Sequence, residues 1–319
     1  RGSMKKPLRL RDFIEDPEGR LYAVSTYDNH ERAGCILRYI PDPCGERVNP
    51  AGTRYHKLEF EEAFAYIQRE KPEYADSVQR IPQEDIRKIL KPEEEIGAII
   101  RRNNRVSRLT RIFDLPERTY GCTGSLLVGL ENERSDIDLV VYGRMFFTAR
   151  ELLRFAIKKG QIDPISDDIW EFIYKKRNPE LSRDEFLIHE RRKWNRGQID
   201  NVYFDILFTR SYKALHPIPI KKGTSCGVAT IRATVTNASL SFDSPAVYLV
   251  DHEEISKVLS FSHTYSGQAL PGELIEARGV CEQHDGEKWL VVGTTRDATG
   301  EYIRSLTLLE GESDETSHN

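Results

Sequence analysis

Residues 121–125 read Gly121-Cys122-Thr123-Gly124-Ser125, and ten residues later the chain reads Asp136-Ile137-Asp138-Leu139-Val140-Val141. Thr119 to Thr123 has the texture of a short strand, and Ser125 to about Leu130 opens a helix. Gly124-Ser125 therefore stands where a strand turns into a helix. Such a turn presents backbone N–H groups and a hydroxyl to an anion, and glycine lets a phosphate approach the backbone closely. The helix returns the chain to a second strand, Ile137 to Tyr142. Asp136 and Asp138 are two residues apart, so both carboxylates project from one face. Ile137, Leu139 and Val141 project from the other face into a core. Two carboxylates this close repel unless a cation sits between them. Hard oxygen ligands beside a phosphate cradle suit Mg²⁺ chemistry on a nucleotide.

A third acid is expected on a neighbouring strand. Asp205 stands alone in Asn201-Val202-Tyr203-Phe204-Asp205-Ile206-Leu207-Phe208, within an alternating strand pattern from Ile199 to Phe208. An unpaired Asp in a sheet is costly. It is either at a strand end in water or coordinating something.

At these positions the chain resembles the DNA polymerase beta-like nucleotidyltransferase superfamily. That signature is a Gly-Ser at a strand–helix turn, about ten residues, an Asp-x-Asp on the next strand and a third acid on a later strand. The resemblance covers 119–208, and Ser135 to Leu139 also resembles the minimal nucleotidyltransferases of archaea and bacteria. Those often carry a basic residue soon after Gly-Ser, where this chain has Leu126-Leu127-Val128. As a whole the chain resembles an archaeal group of predicted nucleotidyltransferases. The resemblance implies transfer of an NMP from an NTP to a hydroxyl, with release of pyrophosphate. Asp136, Asp138 and Asp205 would be the catalytic, metal-binding residues of a two-Mg²⁺ site. Gly124 and Ser125 would grip the β- and γ-phosphates.

Working outward, one long helix is expected from Pro92, a favourable first-turn residue, to just before Pro116. Thr148 reads as the N-cap of a helix to Lys159, stopped by Gly160, and another helix spans Arg183–Asn195. Upstream, 21–25 and 34–40 read as strands around the turn Asp28-Asn29-His30, and Glu59–Arg69 as a helix presenting Phe60, Ala63 and Ile67. Downstream, β-type runs at 226–236, 245–250, 257–263, 273–281, 288–293 and 302–309 are separated by turn residues, the pattern of a small barrel or sandwich. The strand entering Gly279, the turn Asp285-Gly286 and the run Trp289 to Gly293 resemble the middle of an OB-fold. The expected class is thus α/β plus β: an N-terminal α+β module (5–90), a central nucleotidyltransferase domain (91–215), a linker at His216-Pro217-Ile218-Pro219 leading into an OB-like β-barrel (216–310), and a disordered polar tail (311–319). Arg1-Gly2-Ser3-Met4 reads as an expression scar.

The chain has 319 residues with 39% hydrophobic and 31% charged, enough for sizeable cores under a charged surface. No apolar run approaches the ~18 residues of a membrane span, and no signal peptide is visible, so a cytoplasmic location with no membrane partner is expected. Five cysteines, an odd count with no Cys-x-x-Cys, read as reduced thiols. A net charge of −4 excludes binding of a polyanion by bulk attraction. A focused groove would be needed, and two basic patches are candidates. Arg101, Arg105 and Arg108, at i, i+4 and i+7 of the expected helix, would form one stripe, or a solvated face paired with Glu93, Glu94 and Glu95. Arg191-Arg192-Lys193-Trp194 is the other. On the barrel, Phe261, His263, Tyr265, Arg296 and Arg304 are candidate contacts. RNA, including tRNA, is the foremost acceptor; a protein or small-molecule hydroxyl, or non-catalytic nucleic-acid binding, remains open.

Overall fold

The apolar runs flanking Asp28-Asn29-His30 form an antiparallel ladder in the computed structural model, which describes residues 5–216 and 222–316. β1 (Phe13–Glu15), β2 (Leu21–Val24), β3 (Arg32–Pro41), β4 (Arg47–Val48), β5 (Arg54–Lys57), β6 (Gln79–Pro82) and β7 (Lys88–Leu90) make one seven-stranded sheet in the order β4-β5-β3-β2-β1-β7, with β6 also on β3. Helix α1 (Phe60–Glu70) buries Ala63 and Ile67 of the expected stripe in a cluster with Ala33, Cys35 and Leu37 of β3, while Phe60 stays half-buried.

The central segment contributes α2 (Pro92–Arg102), α3 (Asn104–Phe113), β8 (Tyr120–Cys122), α4 (Gly124–Val128), β9 (Ile137–Tyr142), α5 (Met145–Lys158), β10 (Arg196–Ile199) and β11 (Val202–Thr209). Their sheet runs β10-β11-β9-β8, with β9 and β11 parallel. β9 is apolar and buried apart from Asp138, and β11 buries Phe204, Ile206, Phe208 and Thr209. Phe146 of α5 packs edge-on against Phe208 of β11, ring centroids 5.5 Å apart. The N-terminal segment is tied to this sheet through Arg9. Its guanidinium lies between the rings of Tyr142 and Tyr212, at 3.6 and 3.7 Å, and pairs with Glu93 at 3.2 Å.

Three expectations fail here. The long helix is two helices, because Asn103 leaves helical geometry and its side chain caps α3, accepting from Val106 N–H at 3.1 Å. Thr148 is not a cap: α5 begins three residues earlier, at Met145. The run 199–208 is a hairpin, β10 and β11, turning at Asp200-Asn201, both with positive φ, the geometry of a two-residue turn that matches strand twist.

The chain divides into two compact units. One holds the described parts of Arg1–Pro164 and Asn195–Pro219, the other those of Ile165–Trp194 and Ile220–Asn319. The N-terminal sheet is therefore continuous with the central unit. Helices α6 (Asp167–Arg177) and α7 (Arg183–Lys193), expected within 91–215, group with the C-terminal strands. Pro217-Ile218-Pro219 of the expected linker, residues 1–4 and 317–319 lie outside the described residues.

The second unit is built on β12 (Thr224–Leu240), β13 (Ala246–Asp251), β14 (Ile255–Ser260), β15 (Leu274–His284), β16 (Glu287–Val292) and β17 (Tyr302–Ser305). The sheet curls because β12 is long enough to pair twice, through 234–240 with β13 and through 224–234 with β15. β14 and β16 pair in parallel. The run expected to be a strand over 302–309 ends at Ser305. Leu306–Thr316 is helix α8, which replaces the disordered tail over 311–316.

His189 of α7 is buried between two backbone partners. Its Nδ1 lies 2.7 Å from Glu185 O, and its Nε2 accepts from Ser305 N–H at 2.9 Å. Burial holds this imidazole down at about 4, against 6.5 for a free one. A depressed pKa means stability present above pH 6.5 and lost as pH falls towards 4. The second unit is expected to lose about 2–3 kcal/mol across that window, because protonated Nε2 cannot accept from Ser305. Chemical denaturation at pH 7 and pH 4.5 checks this; equal stability at both would refute it.

Candidate active site

Cys122 pairs with Leu139, and Thr123 N–H donates to the Asp138 carbonyl at 3.0 Å, so β8 hands the chain into the turn directly beside β9. The Thr123 hydroxyl donates to the Arg11 carbonyl at 2.7 Å, which holds the turn from the N-terminal side. Gly124 has φ +66°, and a Cβ there would lie 2.5 Å from Asp138 Oδ2. The turn thus needs glycine twice, for its left-handed backbone and for the carboxylate against it. Gly124→Ala is expected to cost about 1–3 kcal/mol and to displace Asp138. A thermal melt reads the first effect and substrate turnover the second; an Ala variant equal to the parent in both would refute this reading. The Ser125 carbonyl accepts from Leu130 N–H at 2.9 Å, leaving its hydroxyl free of hydrogen bonds among the described residues.

Asp138 and Asp205 are direct partners in the parallel β9–β11 register, and Asp136 stands just before β9. Burial pushes the Asp138 carboxyl up to about 7, with further lift from Asp205 and then Asp136; Arg11 and Arg38 pull it down. Asp205 is held by its own hairpin. Arg196, its partner in the β10–β11 register, donates from Nε at 2.9 Å, and the Tyr203 hydroxyl donates at 2.7 Å, both to Oδ1. Among the described residues no group of three or more His, Cys, Asp or Glu side chains is arranged to hold a metal ion. The donor chemistry nevertheless fits a hard divalent cation: the oxygens are carboxylate, and Asp138 carries crowded negative charge that such an ion relieves.

The family model for the nucleotidyltransferase domain matches residues 108–195, spanning the Gly124 turn, Asp136 and Asp138. An uncharacterized protein of Methanocaldococcus jannaschii, MJ1086, is 37% identical over 337 residues, covering 93% of this chain and 98% of that one. The chain belongs to the DNA polymerase beta-like nucleotidyltransferase superfamily. No solved structure matches it. Asp205 lies beyond the matched stretch and is brought to the site by strand register alone.

As a nucleotidyltransferase the protein takes an NTP, and the basic residues singled out as an acceptor surface need revision. Arg101 ends α2, whereas Arg105 and Arg108 belong to α3, so the break at Asn103 destroys the single stripe. Arg108 pairs with Asp200 at 2.5 Å, with Arg105 Nε 3.9 Å from the same carboxylate. Their partner is therefore the β-hairpin tip, not Glu93–Glu95. Arg192 pairs with Glu273 and donates to Gln268 O at 3.0 Å. Lys193 is buried, 2.6 Å from Glu190 Oε1 and 2.9 Å from Thr264 O. Both side chains are engaged within the second unit, so neither Arg192 nor Lys193 is open to an acceptor, contrary to expectation. Tyr265 is likewise buried, and Arg304 is bound by Glu276 and Glu185. Phe261 is exposed.

Residues missed from sequence lie in the N-terminal segment: Arg11 in the turn before β1, Arg38 on β3 and Lys57 on β5. Arg11 donates to Thr209 Oγ1 at 3.2 Å and to the Phe208 carbonyl, bracing the end of β11. Arg38 and Lys57 both act on the Asp138 charge. No spacing relates these residues to Asp136 or Asp138, and only the folded sheet brings them near.

No helix among the described residues is long and apolar enough to cross a membrane.

Proposed function

We propose that the protein is a Mg²⁺-dependent nucleotidyltransferase that moves an NMP from an NTP to a hydroxyl acceptor, an RNA end foremost. The observation that carries this reading is the pairing of Asp138 with Asp205 across β9 and β11, with Gly124 lying on Asp138. Asp136 and Asp138 would hold the metal bridging the triphosphate, and Asp205 would join them toward the acceptor. A divalent cation bound there would neutralise triphosphate charge and lower the acceptor hydroxyl's pKa. Gly124 leaves room for phosphate oxygens beside the backbone, and the Ser125 hydroxyl is available to donate to one. Asp205, held by Arg196 and Tyr203, would act on the acceptor hydroxyl. The acceptor oxygen bonds to the α-phosphorus as the bond to the β-phosphate oxygen breaks; the hydroxyl proton leaves and pyrophosphate departs. Catalysis is then mostly positioning and charge neutralisation.

The RNA reading draws its support from the second unit. The ring of pairings β12-β13-β14-β16-β15-β12, with β14 and β16 parallel, matches the strand connectivity of an OB barrel, a fold that binds single strands through exposed aromatics. Phe261 supplies one such aromatic. Incubation with α-phosphate-labelled NTPs, Mg²⁺, and total cellular RNA or protein tests the acceptor. Label is expected in RNA. Label confined to protein or to small molecules would overturn the RNA assignment.

A further inference from the structure

We propose that the N-terminal sheet completes the nucleotide site: Arg38 and Lys57 hold the terminal phosphates of the NTP and the pyrophosphate that leaves. This rests on the nucleotidyl-transfer reading of the Asp138 cleft. Strand β3 carries a bulge. Leu21 pairs with Tyr39 and Tyr22 with Leu37, so Arg38 is an extra residue in β3. A bulge redirects side chains, and the clusters on either side show that it does so here. Leu37 packs with α1, whereas Tyr39 packs with Leu127 and Leu130 around α4. Lys57 of β5 is the direct partner of Tyr39, so its side chain leaves the sheet on the face turned to α4. Arg47 clamps that arrangement by donating to the Leu130 carbonyl at 2.9 Å.

Both cations are half-buried, yet among the described residues neither the Arg38 guanidinium nor the Lys57 ammonium makes a hydrogen bond or ion pair. Burial, with Arg38 and Arg47 close by, lowers the proton affinity of Lys57, and the charges of Glu59 and Asp138 offset this only in part. A fold rarely leaves like charges together and unpaired without an anion to receive them. The ligand chemistry that fits, next to a nucleotidyl-transfer site, is a di- or triphosphate: a forked guanidinium and a point-charge ammonium are complementary phosphate donors. The placement also accounts for the apolar Leu126-Leu127-Val128 after Gly-Ser, where minimal relatives often carry a basic residue. Here α4 packs onto the N-terminal sheet, and the sheet carries the cations instead.

The test is calorimetric titration of the full chain with inorganic pyrophosphate, with NTP turnover measured alongside. Arg38→Gln and Lys57→Met are each expected to weaken pyrophosphate binding about tenfold or more, and Arg38→Lys to retain more affinity than Arg38→Gln. Lys57→Met should melt no lower than the parent, because burial and repulsion from Arg38 and Arg47 outweigh the attraction of Lys57 to Glu59 and Asp138; a merely structural lysine would lower the melting temperature. If the parent binds no pyrophosphate, or if both variants bind it as the parent does, the inference is overturned even when NTP turnover persists. If pyrophosphate binding depends on both residues while no NMP is transferred, the anion site stands and the transfer reading fails.

Discussion

Asp138→Asn is expected to lower nucleotidyl transfer about a thousandfold or more without lowering stability at pH 8. The loss follows because this side chain lies against Gly124 and opposite Asp205, where charge must be neutralised in the transition state. The stability sign comes from its carboxyl, lifted from 3.8 to about 7 by burial and by its acidic neighbours. A raised pKa means stability present below the unfolded value and lost as pH rises through the folded one. Asparagine keeps the shape and cannot ionise, so the variant should resist denaturation at pH 8 at least as well as the parent. A variant that transfers within tenfold of the parent, or that melts far lower at pH 8, contradicts the assignment.

Asp205→Asn is expected to abolish transfer to a similar degree but with the opposite effect on stability. The Arg196 side chain is 2% exposed and that of Asp205 15% exposed. Removing the carboxylate takes away the counter-charge that Arg196 Nε meets at 2.9 Å in a buried site, at a cost of about 2–4 kcal/mol. The double variant Asp205→Asn/Arg196→Met should recover most of that stability and none of the transfer. Urea unfolding of the three proteins separates the outcomes. Full stability in the single variant would refute the stabilising role of the ion pair, and transfer in the double one would refute the catalytic role of Asp205.

The strand–turn–helix–strand around Gly124 was legible because its signals are local: a two-residue period, a glycine and a fixed spacing. The same holds for Ala63 and Ile67 of α1, which reach the core as spaced, whereas Phe60 stays half-buried. Errors arose where a local signal was present but overruled by a longer pattern. Asn103 is a good N-cap, yet the apolar period running from Ile96 to Leu109 hid the break between α2 and α3. Asp200-Asn201 is turn chemistry that the alternation on both sides concealed. Neither the pairing of Arg192 and Lys193 with distant acceptors nor the grouping of α6 and α7 with the C-terminal sheet leaves a trace in spacing. Arg38 is the sharpest case. Strict alternation sets it opposite Leu37 and Tyr39, and only a bulge created by pairing with β2 changes its direction.

The central claim is that Asp138 and Asp205 sit at the centre of a nucleotidyl-transfer site. The most direct measurement is pyrophosphate release from each NTP in Mg²⁺ with total cellular RNA, comparing the parent with Asp138→Asn. Release that accompanies labelling of an acceptor in the parent, and is lost in the variant, is the predicted result. Equal release from both proteins, or none from the parent with any NTP and acceptor pool, would contradict it.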